Sequence, residues 1–529
     1  MTTPILLNDE QVQSFIVDGL LIFPSGIDEA IDKDIHTLLQ YSSKHEGQLG
    51  NNVASRIPQM HDVLRAPAVA GALTSLLGHN YLVHPHRAVH KSTPIEIPLD
   101  DFTLTTDEHR VGEGSTATSS WHQDAQSPLA RARHHMPKYL IGFYFPHDVT
   151  AAMGPTRFKK ASYMYPKVSD MRNVIQPDMV DAGTFMLCHF DTIHAGFPNQ
   201  ASTDRFLVKF VFARTEYPIS PSWNHHDPVW RTPLAATHHD DLTPAWTSVW
   251  RWLLGTPHAE GNQRDATATK AEPDAPPESR RIIELYGPAG PDEPRQLIAA
   301  LLNKIDEPMH ERVAFVSHNP KLEASDTIRD LAYRWNEQAV AMEDETYRLA
   351  TLGDAAIEPL LELLDSANLW LKLNAIFALG EIECTPPRVV EALLAQLDNP
   401  HHQVVRQTLD ALACKAPQLT DDCFNAIAEL AATTHDEWLN PLTLRGWNAQ
   451  DQIRMNAALV LLNAVSAENS SAQIETIAVK LLSDANGYAA SIAAETLVRM
   501  NSPTALQAAL QYYSDRRWDD TLRVDHKRY

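Results

Sequence analysis

Two hydrophobic rhythms divide this chain. Near the start, Val12, Phe15 and Ile16 recur at helical spacing behind Asn8, a residue suited to cap a helix, with Gln11 at the reciprocal capping position. Asp18-Gly19 closes that helix, and Leu20 to Phe23 reads as a strand. From about residue 80 to 215 the apolar runs are short and β-rich: Tyr81 to Val83, Tyr139 to Phe145, Thr184 to Cys188 and Phe206 to Phe212, each bounded by turn residues. Short strands without long intervening helices predict a barrel or sandwich of the jelly-roll kind. Between Pro218 and Trp252 lie Trp223, Trp230, Trp246, Trp250 and Trp252 among His225, His226, His238 and His239, which reads as a packed extension over the barrel. Those histidines sit beside Trp and Pro in loops, a setting for hydrogen bonding more than for metal binding.

The stretch from Gly255 to Arg280 has almost no large apolar side chain and carries Gly, Pro, Ala, Thr and charge, so it reads as a linker or flexible loop. Beyond residue 290 the period becomes helical. AAIEPLLELLDSANLWLKLNAIFALGEI is followed by the similar VEALLAQLDNPHHQVVRQTLDALACKA, with Asp365 and Asp398 33 residues apart, as are Leu379 and Leu412. Each copy is an apolar helix, a short Asp-containing turn and a second Ala- and Leu-rich helix, a unit that must stack on a neighbour to bury its face. Weaker copies follow at QIRMNAALVLLNAV and VKLLSDANGYAASIAAETLVRM. These segments resemble HEAT-type repeats over residues 345 to 510, with Arg406 and Arg454 at the basic position after the turn; an ordinary helical bundle is the alternative. The expected organisation is a β-rich domain over 1–254, a linker or flexible loop over 255–285 and an all-α HEAT-like solenoid over 286–529.

Charge narrows the partners. Asp and Glu number 67 against 44 Lys and Arg, a formal charge of -23, and no basic run offsets it, which argues against nucleic acid. No stretch of 18 apolar residues runs without a charge, and Met1 to Leu7 shows no secretory signal, so neither membrane spanning nor export is expected. The four cysteines, Cys188, Cys384, Cys414 and Cys423, show no Cys-x-x-Cys spacing; buried thiols in a reducing cytoplasm fit them best.

The chemistry concentrates at Ser-Trp-His-Gln-Asp, residues 120 to 124. Alternate strand residues share a face, so His122 and Asp124 can present an imidazole nitrogen and a carboxylate oxygen to one metal. A second histidine from a distant strand would complete a facial triad with three open positions on Fe(II). DAGTFMLCHFDTIHAGFPNQASTDRFLVKFVFAR, Asp181 to Arg214, offers His194, a turn with Pro198 and Asn199, then Arg205 opening a strand eleven positions on. A returning hairpin would bring that guanidinium to the cavity, where its planar fork suits a carboxylate.

With LNDEQVQSFIVDGLLIFPS, WHQD and GPTRFKKASY, this block resembles the phytanoyl-CoA dioxygenase family of iron(II)/2-oxoglutarate oxygenases over about residues 5 to 215. The resemblance implies a double-stranded β-helix (jelly roll) with flanking helices, and a requirement for Fe(II), 2-oxoglutarate and dioxygen. It makes His122, Asp124 and His194 the catalytic metal ligands and Arg205 the 2-oxoglutarate anchor. The implied reaction is hydroxylation of an unactivated C–H bond in a small-molecule or carrier-bound substrate; the intact Asp124, where related halogenases have a small residue, favours this or desaturation or ring formation. Two departures leave the substrate unassigned: Lys159-Lys160-Ala161-Ser162-Tyr163 replaces a Pro-Gly-Ser-His turn, and Gly196 stands where many members have Ser. His90, Lys91 and Thr93 are candidates to line the co-substrate cavity, Lys91 as a direct 2-oxoglutarate contact. His189 competes with His194, and Lys209, sharing strand parity with Arg205, competes as anchor, while Trp121 and Gln123 flank the ligands on the opposite strand face. Two other readings stand beside this one: a non-catalytic scaffold whose HEAT-like repeats bind a protein partner, and a cupin-like metalloenzyme without 2-oxoglutarate.

Overall fold

A computed structural model describes residues 3–47, 49–95, 124, 132–165, 172–256, 276–290, 292–304, 341–383, 385–439, 448–469 and 471–516. The first helix, Asp9–Asp18, starts as its sequence dictates, with a reciprocal Asn8–Gln11 capping box, and ends on Gly19 in the left-handed conformation at φ 68°. Ten strands follow: β1 Leu20–Pro24, β2 Leu82–Ser92, β3 Tyr139–Phe145, β4 Val149–Thr150, β5 Arg157–Lys159, β6 Val174–Ile175, β7 Met179–Val180, β8 Thr184–His189, β9 His194–Ala195 and β10 Arg205–Ala213.

Five of them form one sheet in the order β1-β8-β3-β10-β2, and every pairing in it is antiparallel. Smaller sheets pair β4 with β7, and order β6-β5-β9. The register sorts side chains by face. Arg205, Leu207, Lys209 and Val211 of β10 share a face with Ile141 and Phe143 of β3 and Met186 and Cys188 of β8. The apolar members of this face pack with Val149, Phe158 and Val180 of the smaller sheets in one buried cluster, the core between the layers. The opposite face, with Phe206, Val208, Phe210, Phe212, Leu140, Tyr144, Phe185 and Leu187, belongs to a second cluster shared with the N-terminal helices.

That second cluster does not stop at the sheet. It runs continuously from Leu7 to Ala509 and takes in the C-terminal helices. There, Asp344–Leu352, Leu369–Glu381, His402–Ala413, Ala449–Ser466 and Gly487–Met500 pack one against the next, and the intervening helices lie along one side, Asp354–Leu363 on Pro387–Ala395 and Asp421–Ala432 on Ala472–Leu481. Gly380 permits the close approach of one such pair, since a Cβ there would lie 2.9 Å from the Cβ of Ala411.

Polar contacts tie the two halves together. Lys138, just before β3, donates from Nζ to Glu381 Oε1 at 2.6 Å, with His134 Nδ1 3.2 Å from the same oxygen. Tyr217 donates to the carbonyl of Gly380 at 2.8 Å, and Tyr347 to that of Arg133 at 2.9 Å. Burial alone would raise the Glu381 pKa, but Lys138 and His134 outweigh it and hold the carboxyl well below the usual range.

The end of the stretch read as a linker behaves otherwise. Pro277–Leu285 is a helix with Ile282, Ile283 and Leu285 buried, and Arg348 donates to the carbonyls of Leu285 and Gly287. Its three apolar residues, spaced for one helix face, outweigh the surrounding Pro-rich composition. Residues 257–275 of that stretch lie outside the described residues. The Trp-rich segment packs on the N-terminal helix: Asp9 accepts from Trp223 Nε1 at 2.6 Å and His225 Nδ1 lies 2.9 Å from it.

Candidate functional site

β9 places His194 opposite Phe158 of β5, on the face turned toward the large sheet. Its ring lies edge-on to Phe143 at 5.3 Å and near-parallel to Phe158 at 6.1 Å. Nδ1 is 3.0 Å from the carbonyl of Thr192, which can only accept, so Nδ1 carries the proton and Nε2 keeps its lone pair. That Nε2 is 3.7 Å from Asp124 Oδ2. The structure therefore brings together His194 and Asp124, both buried, from positions 70 residues apart. His122, the third expected ligand, lies outside the described residues, as do Trp121 and Gln123. Among the described residues no group of three or more His, Cys, Asp and Glu is placed to hold a metal.

The donors present fit a divalent first-row cation. A carboxylate oxygen and an imidazole lone pair 3.7 Å apart can both reach one ion at about 2.0–2.2 Å from each. One neighbour competes with that ion: the Lys209 ammonium makes a direct ion pair with Asp124 Oδ2. Lys209 sits on β10 between Phe143 and Ala88, so the sheet's parity aims it at the same space. Cys188 shares this face, and burial pushes its thiol up, with the Asp124 charge adding to the effect, so it is a neutral apolar group.

Arg205 opens β10 on the same face, four residues or about 13 Å along the strand from Lys209. It is 5% exposed, its Nη1 donates to the carbonyls of Met153 at 3.3 Å and Phe197 at 3.5 Å, and its buried Nε has no hydrogen-bond partner. No carboxylate among the described residues pairs with it, and burial pushes its pKa down to about 10. A guanidinium buried without a counterion is costly unless a ligand supplies the anion.

Lys91 is placed differently from Arg205. It pairs in register with Phe206, on the other face of the sheet, and its ammonium is 2.9 Å from Asp204. His90 and Ser92 take the inner-face positions, opposite Leu207 and Arg205. His189 likewise faces outward, stacked on Tyr163 at 4.3 Å, with its Nδ1 accepting from the amide of Asp191.

Two supporting residues escaped the sequence. Ser162, in the segment that departs from the family's turn, accepts from the amide of Ile193 at 2.8 Å and donates to Lys159 O at 2.7 Å, which fixes the backbone just before His194. Asn199 donates to the carbonyls of Ser92 and Thr203 and accepts from the amide of Ala201, which locks the turn between His194 and Arg205 against β2. Both act on backbone groups, and a serine or asparagine in a turn carries no mark of that role in sequence.

No protein-family model matches the chain, and no curated protein matches it. Several solved structures are similar to part of the chain. They include the non-haem monooxygenase ThoJ in complex with nickel, 20% identical over 40% of this chain and 81% of that one, with a TM-score of 0.29. The α-ketoglutarate-dependent carbocyclase SnoK from nogalamycin biosynthesis is 14% identical over 41% of this chain and 88% of its own, at 0.30. EctD from S. alaskensis, solved with 2-oxoglutarate and 5-hydroxyectoine, is 12% identical over 41% and 79%, at 0.32. Likeness at this level carries no argument about chemistry, which rests on this chain's own residues.

Proposed function

We propose that this chain is an Fe(II)/2-oxoglutarate-dependent dioxygenase that hydroxylates a C–H bond of a small-molecule or carrier-bound substrate. The observation that carries the reading is Arg205, a buried guanidinium without a carboxylate partner among the described residues, on the same sheet face as the Lys209–Asp124 pair. Asp124 and His194, with His122, would hold the iron, and the lone pair on His194 Nε2 supports that role. When bound, the iron supplies the capacity to activate dioxygen.

The residues of the chain act by positioning. Arg205 seats the far carboxylate of the keto acid through paired, charge-assisted hydrogen bonds. Phe143 and Phe158 enclose the His194 ring and keep water from that side. The Thr192 carbonyl accepts from Nδ1 and so orients the imidazole with Nε2 toward Asp124. The double-stranded β-helix and a HEAT-like arrangement of the C-terminal helices belong to the same proposal, the helices offering a surface for a protein partner or a carried substrate.

A second reading has one observation in its favour. Lys209 already neutralises Asp124 without a metal, as a barrel retained only as a scaffold would need. Succinate release separates the two. With Fe(II), 2-oxoglutarate and dioxygen, the wild-type chain is expected to form succinate even in the absence of substrate, and Asp124→Ala and His122→Ala to lose at least nine-tenths of that rate with the circular dichroism unchanged. Equal succinate release by either variant, or none by the wild type, would count for the scaffold.

A further inference from the structure

On the outer side of the sheet, away from Arg205 and Lys209, a cleft of about 980 Å³ opens between the N-terminal half and the last two described helices. One wall is Leu49 to Pro58 with Arg87 of β2, and the other is Gly487, Tyr488, Tyr512, Tyr513 and Arg516. The walls are tied to each other at Tyr488, whose hydroxyl accepts from Asn51 Nδ2 at 2.9 Å and lies 2.8 Å from His86 Nδ1; within the first wall the Arg87 amide donates to Asn51 Oδ1 at 2.9 Å. The cleft is thus set by contacts already made.

Its electrostatics run against the rest of the molecule. The chain carries a formal charge of -23, yet the described lining contains Arg87, Arg516 and His61 and no carboxylate. Neither guanidinium has a carboxylate partner among the described residues. Arg87 Nε is buried without a hydrogen-bond partner, and burial pushes its pKa down. Arg516 lies over the Tyr512 ring, 4.0 Å from its centroid, and among the described residues its other bond is to the Tyr512 carbonyl. Arg87 is half-buried with only its Nε enclosed, and Arg516 is exposed at the helix end, so both forks can meet an anion entering the cleft, and the half-buried one gains the more from such a partner.

Size and shape restrict that anion. The volume is near the upper end of small-molecule pockets, roughly 300–1,000 Å³, far beyond an inorganic ion. Tyr488 and Tyr513 supply aromatic surface suited to a planar ring, while Tyr512 backs the Arg516 guanidinium. We propose that this cleft binds a phosphorylated, ring-bearing small molecule of nucleotide size, with Arg87 and Arg516 on its phosphate and Tyr488 and Tyr513 against its ring. Because both halves contribute walls, such a ligand would hold them together and raise the melting temperature.

Thermal unfolding and calorimetry of the full chain with AMP, adenosine, inorganic phosphate and succinate test this. AMP is expected to raise Tm in a concentration-dependent way and to bind at least tenfold tighter than inorganic phosphate, with adenosine and succinate giving no shift. Arg87→Met is expected to weaken AMP at least tenfold; should it fold poorly, Arg516→Met, at an exposed helix end, takes its place with the same expectation. No AMP-dependent shift, a shift that persists unchanged in the arginine variant, or an equal response to succinate would overturn the proposal.

Discussion

Lys209 and Asp124 set opposite charges against each other in the apolar space between the sheets, both of them buried. Removing one partner of such a pair leaves the other charge in a poor solvent and costs about 3 kcal/mol. Lys209→Met is therefore expected to lower the Tm of the metal-free protein, and Co(II) to restore it by taking the place of the ammonium beside Asp124. A Lys209→Met chain with wild-type Tm, or one that Co(II) does not stabilise, would show that the pair has no bearing on metal binding. Asn199 acts at the same scale through three hydrogen bonds to backbone groups, with no exposure to solvent. Asn199→Ala should cost about 2 kcal/mol in chemical denaturation and weaken 2-oxoglutarate binding severalfold, because the turn it locks delivers Arg205. Unchanged affinity in that variant would separate the turn from the keto-acid site.

The elements were legible where local rules and tertiary context agree. Asn8 and Gln11 announced the first helix, and β3 was readable to its ends because Tyr139 to Phe145 is apolar on both faces, each of which is covered. β2 was underread: the apolar run stops at Val83, but the strand continues to Ser92 through His84, His86, Arg87, His90 and Lys91. Among the described strands it lies at the edge of the sheet, and its polar residues reach solvent, the cleft or Asp204 and need no apolar alternation. Lys91 shows the consequence for the site. Without the register of β2, its face could not be assigned, and one position of parity moves a side chain from the inner surface to the outer. The sequence separates His194 from His189 by the eleven-residue spacing to Arg205, and in the fold the two rings lie on different faces, His194 between the sheets and His189 on the outer side. Ser162 was hidden because its work is a hydrogen bond to the Ile193 amide, which no pattern of apolar positions encodes.

At the scale of the whole molecule, the continuous cluster from Leu7 to Ala509 joins the two halves through a shared core. Cleavage within residues 257–275 is expected to give fragments that stay together on size exclusion and unfold in one transition; fragments that separate and melt independently would contradict the shared core. Acid should loosen the whole. His135, bonded to Tyr286 at 2.6 Å and stacked on Tyr347, is pushed down to about 3 by burial, with Arg133 adding to the effect, and burial likewise takes His402 to about 3. Between that value and the ordinary 6.5 the unfolded chain binds protons that the folded one does not, so stability falls as pH drops through this window, by up to about 1.4 kcal/mol per pH unit for each histidine. Tm should therefore be lower at pH 5 than at pH 7.5, and a flat profile would contradict the burial of these rings. The central claim, that the space between the sheets seats a keto acid beside a ferrous ion, is tested most directly by calorimetric titration of 2-oxoglutarate into the anaerobic Fe(II)-loaded full chain and its Arg205→Met variant. The account predicts one site per chain in the wild type and at least a hundredfold weaker binding in the variant; no binding to the wild type, or equal binding to both, would contradict it.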